Sequence, residues 1–394
     1  MRASLCLAVC AIALTSAAVA APAATRLSIR NPLDVARTSA EVAIPASLLP
    51  RGIRRGQWVV SAAAQIAPLQ LLKRGGAVTV LDLPAHGSVT AVLRRRAPSD
   101  PAPDDFVHAT IPVKQGDAYR EVPRFVVPKS HVIHDPLFPI EGAGWESGRV
   151  GYRVYLDKRS TVDAYGKKLP APVLHLIGQG RDPYKGSYHD ESDWGMDIWH
   201  VGDSLGAGSL GVLRGGMAAQ IGEMHRMVAA VEASGPVLAA MRIDNKGWRM
   251  GRRTANLVAR YSIASGSRLM MVSASASRRV PLVAGFGKYP NTVLIRSDAA
   301  SGWGYIATWG QQSENGKDVV GMALFYPAAG ILTVADDGRS YYVRFKNPAK
   351  ARYAIAAAWV KEGGGITDEA GFRAYLDQTA AELSHPAVVT ARAK

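Results

Sequence analysis

The sequence predicts an all-β protein, with antiparallel sheets packed as a sandwich. Three observations predict it. Short runs of β-branched and aromatic residues recur along the chain, many alternating apolar and polar with a period of two. Prolines, glycines and turn signals separate these runs. The βαβ alternation that a parallel sheet needs is not there, nor is an internal repeat. A length of 394 residues suits two domains, or one large β domain with an appendage, and 48% hydrophobic with 20% charged residues excludes a disordered chain.

The chain starts like a secretory leader. Arg2 supplies the positive start, Leu5 to Leu14 the apolar run, and Ala18-Val19-Ala20 the small-residue cleavage site. Residues 1–20 are therefore expected to be removed, leaving a periplasmic or secreted protein. A lipoprotein leader ending at Leu7-Ala8-Val9-Cys10 is the alternative. Both cysteines, Cys6 and Cys10, fall in this leader, so no disulfide or thiol chemistry is expected in the mature chain. No later run has the roughly 20 apolar residues that a membrane-spanning helix needs.

Residues 25 to about 125 read as a small β domain. Trp58-Val-Val60, Leu69 to Leu72, Val78 to Leu81 and Val89 to Leu93 are its clearest strand candidates. Arg94-Arg95-Arg96 ends the last of them, as an exposed strand end or an anion contact. Ala97 to Asp105, rich in Pro and Asp, reads as a flexible loop.

Residues 126–394 read as a larger β domain. In Arg149 to Asp157, Val150, Tyr152, Val154 and Leu156 alternate with Gly151, Arg153, Tyr155 and Asp157. The first set is expected on the core and the second displayed together on the other face. Further strands are expected at Pro236–Asp244, Leu257–Ile263, Leu269–Ser275, Thr292–Ser297, Gly304–Trp309, Val319–Tyr326, Tyr341–Phe345 and Tyr353–Val360. Turns are expected at Asp244-Asn245-Lys246-Gly247 and at Glu314-Asn315-Gly316. One helix is expected, Asp368 to Leu383, capped by Thr367, with Phe372, Leu376 and Leu383 on one face.

Chemistry concentrates between His131 and Gly211. Five of the nine histidines lie there, at 131, 134, 175, 189 and 200, among tryptophans, glycines and carboxylates. A solvated surface is the plainer reading of any one of these residues. Together they suit a wet, shaped pocket on loops. The net charge of +15 points to an anionic partner. Nucleic acid is disfavoured, because neither a recognition motif nor a basic helix is present. An acidic polysaccharide or oligosaccharide fits export better.

Three strings are informative: Gly144-Trp145-Glu146-Ser147 with Arg149-Val-Gly-Tyr152-Arg153-Val-Tyr155-Leu-Asp157, then Tyr188-His189-Asp190-Glu191-Ser192-Asp193-Trp194-Gly195-Met196-Asp197, then Val201-Gly202-Asp203-Ser204-Leu205-Gly206-Ala207-Gly208. They resemble the DUF4861 family through most of residues 125–360. The resemblance implies export by bacteria that degrade acidic plant or algal polysaccharides. It implies a galactose-mutarotase-like β-supersandwich and a link to uronate-containing glycans such as pectin.

Three activities suit these residues. A lyase acting by β-elimination needs a base beside the substrate carboxylate and groups that stabilise the resulting anion. His189 or Tyr155 could be the base, with Tyr188 in reserve. Arg149 or Arg153 could clamp the carboxylate, and Trp145 and Trp194 could stack on sugar faces. His134 and Asp197 complete the expected substrate-binding set. A glycoside hydrolase needs two carboxyl groups, for which Glu146, Asp157, Glu191, Asp193 and Asp197 are available. A sugar epimerase or a non-catalytic glycan-binding protein is the third. A metal site at His131 and His134 with His189 or nearby acids stays unassigned, as does any cofactor.

Overall fold

A computed structural model describes residues 25–53, 58–102, 107–180, 184–298 and 301–392. The expected leader, with both cysteines, lies outside the described residues. Alternation builds the largest sheet. Its nine antiparallel strands run, in spatial order, Arg124–Val126, Arg226–Ala233, Leu238–Met250, Arg253–Ala264, Leu269–Ala276, Lys350–Trp359, Val319–Pro327, Trp303–Gln311 and Thr292–Arg296. Along Val319–Pro327, Met322 and Leu324 enter the main core, while Ala323 and Phe325 enter a second core on the opposite face. One strand thus serves two layers, as a side-chain period of two dictates.

Two five-stranded sheets cover the main-core face. One runs Gly195–Asp197, Val162–Lys167, Val150–Tyr155, Gly142–Glu146 and His108–Thr110. The other runs Met217–Ala219, Ala207–Arg214, Leu282–Gly287, Ser340–Phe345 and Ile331–Asp336. Trp145, Tyr152, Tyr261 and Tyr353 are among the large side chains buried between the layers. This is an all-β sandwich with a single helix among the described residues. No helix among them is long and apolar enough to cross a membrane.

The helix Glu369–Ser384 closes the other face of the nine-stranded sheet with Phe372, Leu376 and Ala380. Its N-cap is Asp368, not the expected Thr367; the Asp368 carboxylate accepts from Gly371 N at 2.7 Å. A carboxylate satisfies the first-turn donors and also the helix dipole, which a hydroxyl does less well.

The N-terminal sheet runs Arg37–Ile44, Ala77–Leu83, Gln65–Leu71, Trp58–Ala62, Ser88–Arg95, Thr25–Arg30 and Val388–Ala391. It has its own core around Leu27, Val42, Val60 and Leu93. Its last strand comes from the far end of the chain, pairing Ile29 with Val389. His108–Thr110 and Arg124–Val126 join the larger body instead. Sequence continuity cannot show either exchange, because strand pairing is non-local. Arg94 and Arg96 turn back on the loop that follows: Arg94 grips Asp100 through two bonds of 2.6 and 2.7 Å, and Arg96 bonds to the Asp100 carbonyl at 2.9 Å.

The turn expected at residues 244–247 is a bulge inside the strand Leu238–Met250. Its pairing shifts from Asn245 opposite Leu257 to Trp248 opposite Ala255. Gly247, at φ +62°, provides the left-handed backbone, and the Asn245 amide bonds to Ser160 Oγ at 2.9 Å. Turn-forming residues therefore mark an insertion in a strand that continues beyond it. The turn at residues 314–316 is present, with Gly316 at φ +67°.

Candidate active site

The site grows from the outer face of the sheet Gly142–Glu146, Val150–Tyr155, Val162–Lys167 and Gly195–Asp197. Ala143, Trp145, Val150, Tyr152, Val154, Val162, Ala164 and Met196 take the inner face and the main core. The intervening positions point away from that core, and there the sheet carries charge: Glu146, Arg153, Asp163, Lys167 and Asp197. All five are buried, because residues 170–180 and 184–194 lie over them with Val173, Leu174, Ile177 and Trp194. Gly144 leaves room for this cover to pack closely, since a Cβ there would meet Leu174 Cδ1 at 2.8 Å.

Two charged nests result. In the first, Lys167 Nζ donates to Glu146 at 2.6 Å, and the same carboxylate accepts from the backbone N–H groups of Val173 and Leu174 at 2.8 Å each. This nest pins the covering segment. Burial lowers the Lys167 pKa against the pull of Glu146.

The second nest centres on Arg153, and strand register explains it. Arg153 stands opposite Asp163, and Tyr165 opposite Asp197. Arg153 donates to Asp163 Oδ2 at 2.7 Å, to Asp197 Oδ2 at 2.8 Å, to the Ile140 carbonyl at 3.0 Å and to the hydroxyls of Tyr155 and Tyr188 at 2.6 and 2.9 Å. Tyr155 in turn donates to Asp163 at 2.8 Å. The guanidinium also lies over the rings of Tyr155, Tyr165 and Tyr188. Two buried carboxylates share one cation, so the nest is one positive charge short. Burial first, and then the charge of Asp163, raise the Asp197 pKa well above 3.8.

Two histidines open this nest to solvent. Asp197 N–H donates to the Tyr188 carbonyl at 2.8 Å, which fixes the following residue beside its own carboxylate. His189 Nδ1 consequently sits 3.7 Å from Asp197 Oδ2, with its side chain 49% exposed. On another side, His134 Nδ1 meets Glu141 Oε1 at 2.5 Å, and Glu141 Oε2 lies 4.0 Å from Arg153. His134 is 78% exposed. His134 and Glu141 both hold left-handed backbone, at φ +66° and +55°. Such strain in non-glycine residues persists only where the surroundings fix it, and it clusters at functional sites. Arg159 joins the same carboxylate at 3.6 Å, grips Asp157 and lies 3.6 Å above the Tyr155 ring. Its Nη1 has no partner among the described residues.

Of the residues expected in the site, His134, Arg153, Tyr155, Tyr188, His189 and Asp197 come together. Four others do not take the places expected of them. Trp145 faces the main core and stacks on Tyr261 at 4.7 Å, so it has no face left for a sugar. Trp194 is part of the cover itself, its ring buried beside Tyr165. Arg149 binds Glu362 at 2.9 Å, roughly 13 Å along the strand from Arg153 at the usual rise per residue. Glu191 is clamped by Lys168 and Lys361, at 2.6 Å each. Tyr155 is in the nest but buried, its hydroxyl held between Arg153 and Asp163, and burial raises its pKa. Arg153 has its donors committed to Asp163, Asp197, the Ile140 carbonyl and the two tyrosine hydroxyls. Three of the carboxyls offered for a hydrolase have separate partners: Lys167 for Glu146, Arg159 for Asp157, and two lysines for Glu191. No group of three or more His, Cys, Asp or Glu among the described residues is placed to hold a metal ion.

Sequence reading missed Glu141, Arg159 and Asp163. For Asp163 a signal existed: Asp163, Tyr165 and Lys167 alternate with Val162, Ala164 and Gly166. For Glu141 and Arg159 the signal is only spatial.

Comparison with known proteins agrees with the resemblance. A Formosa agariphila protein, named "Uncharacterized protein P7", is 22% identical over 268 residues, 62% of this chain and 66% of that relative. A glycosyl hydrolase family 38 protein from Enterococcus faecalis aligns at a TM-score of 0.40 and 9% identity. An α-mannosidase from Enterococcus faecalis V583 aligns at 0.41 and 10%. Each alignment covers 94% of this chain, which spans only about half of either structure, 48% and 46%. The domain of unknown function DUF4861 matches residues 29–389, and the chain belongs to that family.

Proposed function

We propose that this protein is an exported, carbohydrate-active enzyme that removes the proton beside the carboxylate of a uronate residue in an acidic glycan, and that β-elimination follows. One observation carries the reading. A half-exposed imidazole, His189, stands against Asp197, a buried carboxyl with a raised affinity for protons, and Tyr188 adjoins both. Perturbed carboxyls of this kind mark sites that handle protons.

The roles divide as follows. His189 takes the proton, with Asp197 beside it to orient the imidazole. The electron pair left on carbon forms the new double bond, and the adjacent carbon–oxygen bond breaks. Tyr188 accepts from Arg153, which leaves its own proton free to aim at the leaving oxygen. Burial raises the Tyr188 pKa, so that proton is present at neutral pH. Arg159, through Nη1, is placed to meet the substrate carboxylate. These assignments move the clamp from Arg153 to Arg159 and keep His189 as the base.

The second dyad favours one alternative. His134–Glu141 and His189–Asp197 both adjoin Arg153, and two bases flanking one carbon would give epimerisation. Incubation with polygalacturonate separates the readings. Absorbance from an unsaturated product, lost in His189→Ala, supports elimination. Deuterium entry beside the carboxylate without chain cleavage supports epimerisation. New reducing ends without a double bond would overturn both.

A further inference from the structure

A cleft of about 860 Å³ opens beside the site, and nothing in the proposed chemistry uses it. Its lining includes Lys129, Lys158, Arg226 and Arg249 against only two acids, Asp157 and Glu223. Both acids are already neutralised, Asp157 by Arg159 and Glu223 by Arg249. Lys129, Lys158 and Arg226 have no carboxylate partner among the described residues and are exposed. Three unpaired cations in one concavity focus a positive field that a flat surface would disperse. Between them the floor is apolar, from Val127, Leu156, Met224 and Met227, and Val132 stands 62% exposed at the edge.

Two chain segments run from the lining of the cleft directly into the site. His131, Val132 and Ile133 line the cleft, while His134 belongs to the site. Leu156, Asp157 and Lys158 line the cleft, while Tyr155 and Arg159 belong to the site. The first loop is fixed: Asp135 accepts from Val132 N, Leu137 N and His131 Nδ1 at 2.8 to 3.0 Å. A preformed wall lowers the ordering cost of binding.

We propose that this cleft receives the next residues of an acidic oligosaccharide whose reacting unit sits at His189. Lys129, Lys158 and Arg226 would meet successive carboxylates or sulfates, and the apolar floor would meet the C–H faces of the sugars. The inference rests on the uronate reading for its starting point.

Calorimetric titration of the full-length protein with oligogalacturonate dimer, tetramer and hexamer tests it, using His189→Ala protein so that no turnover intervenes. Affinity should rise with length. Lys129→Ala, Lys158→Ala and Arg226→Ala combined should abolish that rise and weaken hexamer binding by roughly tenfold or more, while dimer binding stays. Three equal substitutions in the N-terminal unit, Arg26→Ala, Arg30→Ala and Arg51→Ala, should change neither and so remove net charge as the cause. A sulfated oligosaccharide of equal length distinguishes the anion. Equal affinity for dimer and hexamer, undiminished binding by the triple cleft variant, or equal binding of a neutral hexamer would overturn the inference. Length-dependent, cleft-dependent binding without turnover by the wild type would keep the cleft and retire β-elimination. Turnover without length dependence would retire the cleft alone.

Discussion

Asp197 presents one carboxylate oxygen to two partners: Oδ2 is 2.8 Å from Arg153 Nη2 and 3.7 Å from His189 Nδ1. The buried cation holds the carboxyl, and the carboxyl faces the exposed imidazole. Through this linkage the interior of the sheet reaches the solvent-facing imidazole.

The first prediction concerns this pair. His189→Ala and Asp197→Asn should each lower kcat on polygalacturonate by roughly a hundredfold or more, the usual scale of a positioned acid–base group. The double variant should lose little beyond either single one, because the two act as a unit. Initial rates of double-bond absorbance, with circular dichroism to confirm folding, measure this. Losses that multiply would show that the residues act independently.

Arg153 gives the second. Removing the shared cation strands two buried carboxylates, Asp163 and Asp197. Arg153→Met should cost about 3–5 kcal/mol, the scale for breaking a buried ion pair. Adding Asp163→Asn to Arg153→Met should recover part of it, since one stranded charge disappears. Urea unfolding midpoints read both effects. A loss under 1 kcal/mol, on the scale of a surface pair, would mean that water reaches the nest.

The third is a pH dependence. Asp197 binds its proton more tightly in the folded chain than in the unfolded one, where a value of 3.8 applies. A raised carboxyl pKa contributes stability that is complete below 3.8 and is lost as pH rises through the folded value. Asp197→Asn removes this titration. Relative to the wild type, the variant should therefore gain stability as pH rises above 3.8. Unfolding midpoints of both proteins across a pH series provide the measurement, and a constant difference between them would contradict the expectation.

Much of the fold was legible because alternation and local turn chemistry govern most of these strands. Leu269–Ala276, Val319–Pro327 and Trp303–Gln311 fall within two residues of the expected ranges. The exchange of Val388–Ala391 into the N-terminal sheet was not legible, because nothing local records a partner so distant in sequence. The site was half legible. His189, Tyr188 and Asp197 share one short segment, and Arg153 with Tyr155 follows from strand parity. Asp163 left a signal in the alternation of Val162–Lys167, but the strand is buried on both faces, so that alternation marks no solvent face. Glu141 and Arg159 enter through loop geometry, which a sequence pattern does not encode.

Parity also decides the last prediction, on Trp145. Within Gly142–Glu146 the side chains alternate, and Trp145 pairs across the sheet with Tyr152. Tyr152 belongs to the main core, and parity takes Trp145 there too, away from the face that carries Glu146. A tryptophan beside a candidate site reads as a sugar platform until its strand position is fixed. Trp145→Ala should cost about 3–5 kcal/mol through the cavity it leaves. KM for an acidic oligosaccharide should stay unchanged for the folded fraction. Arg159→Ala should instead raise KM, alongside the stability lost when the Asp157 carboxylate is left without its partner. A Trp145→Ala protein with wild-type stability and a raised KM would return that ring to the binding surface.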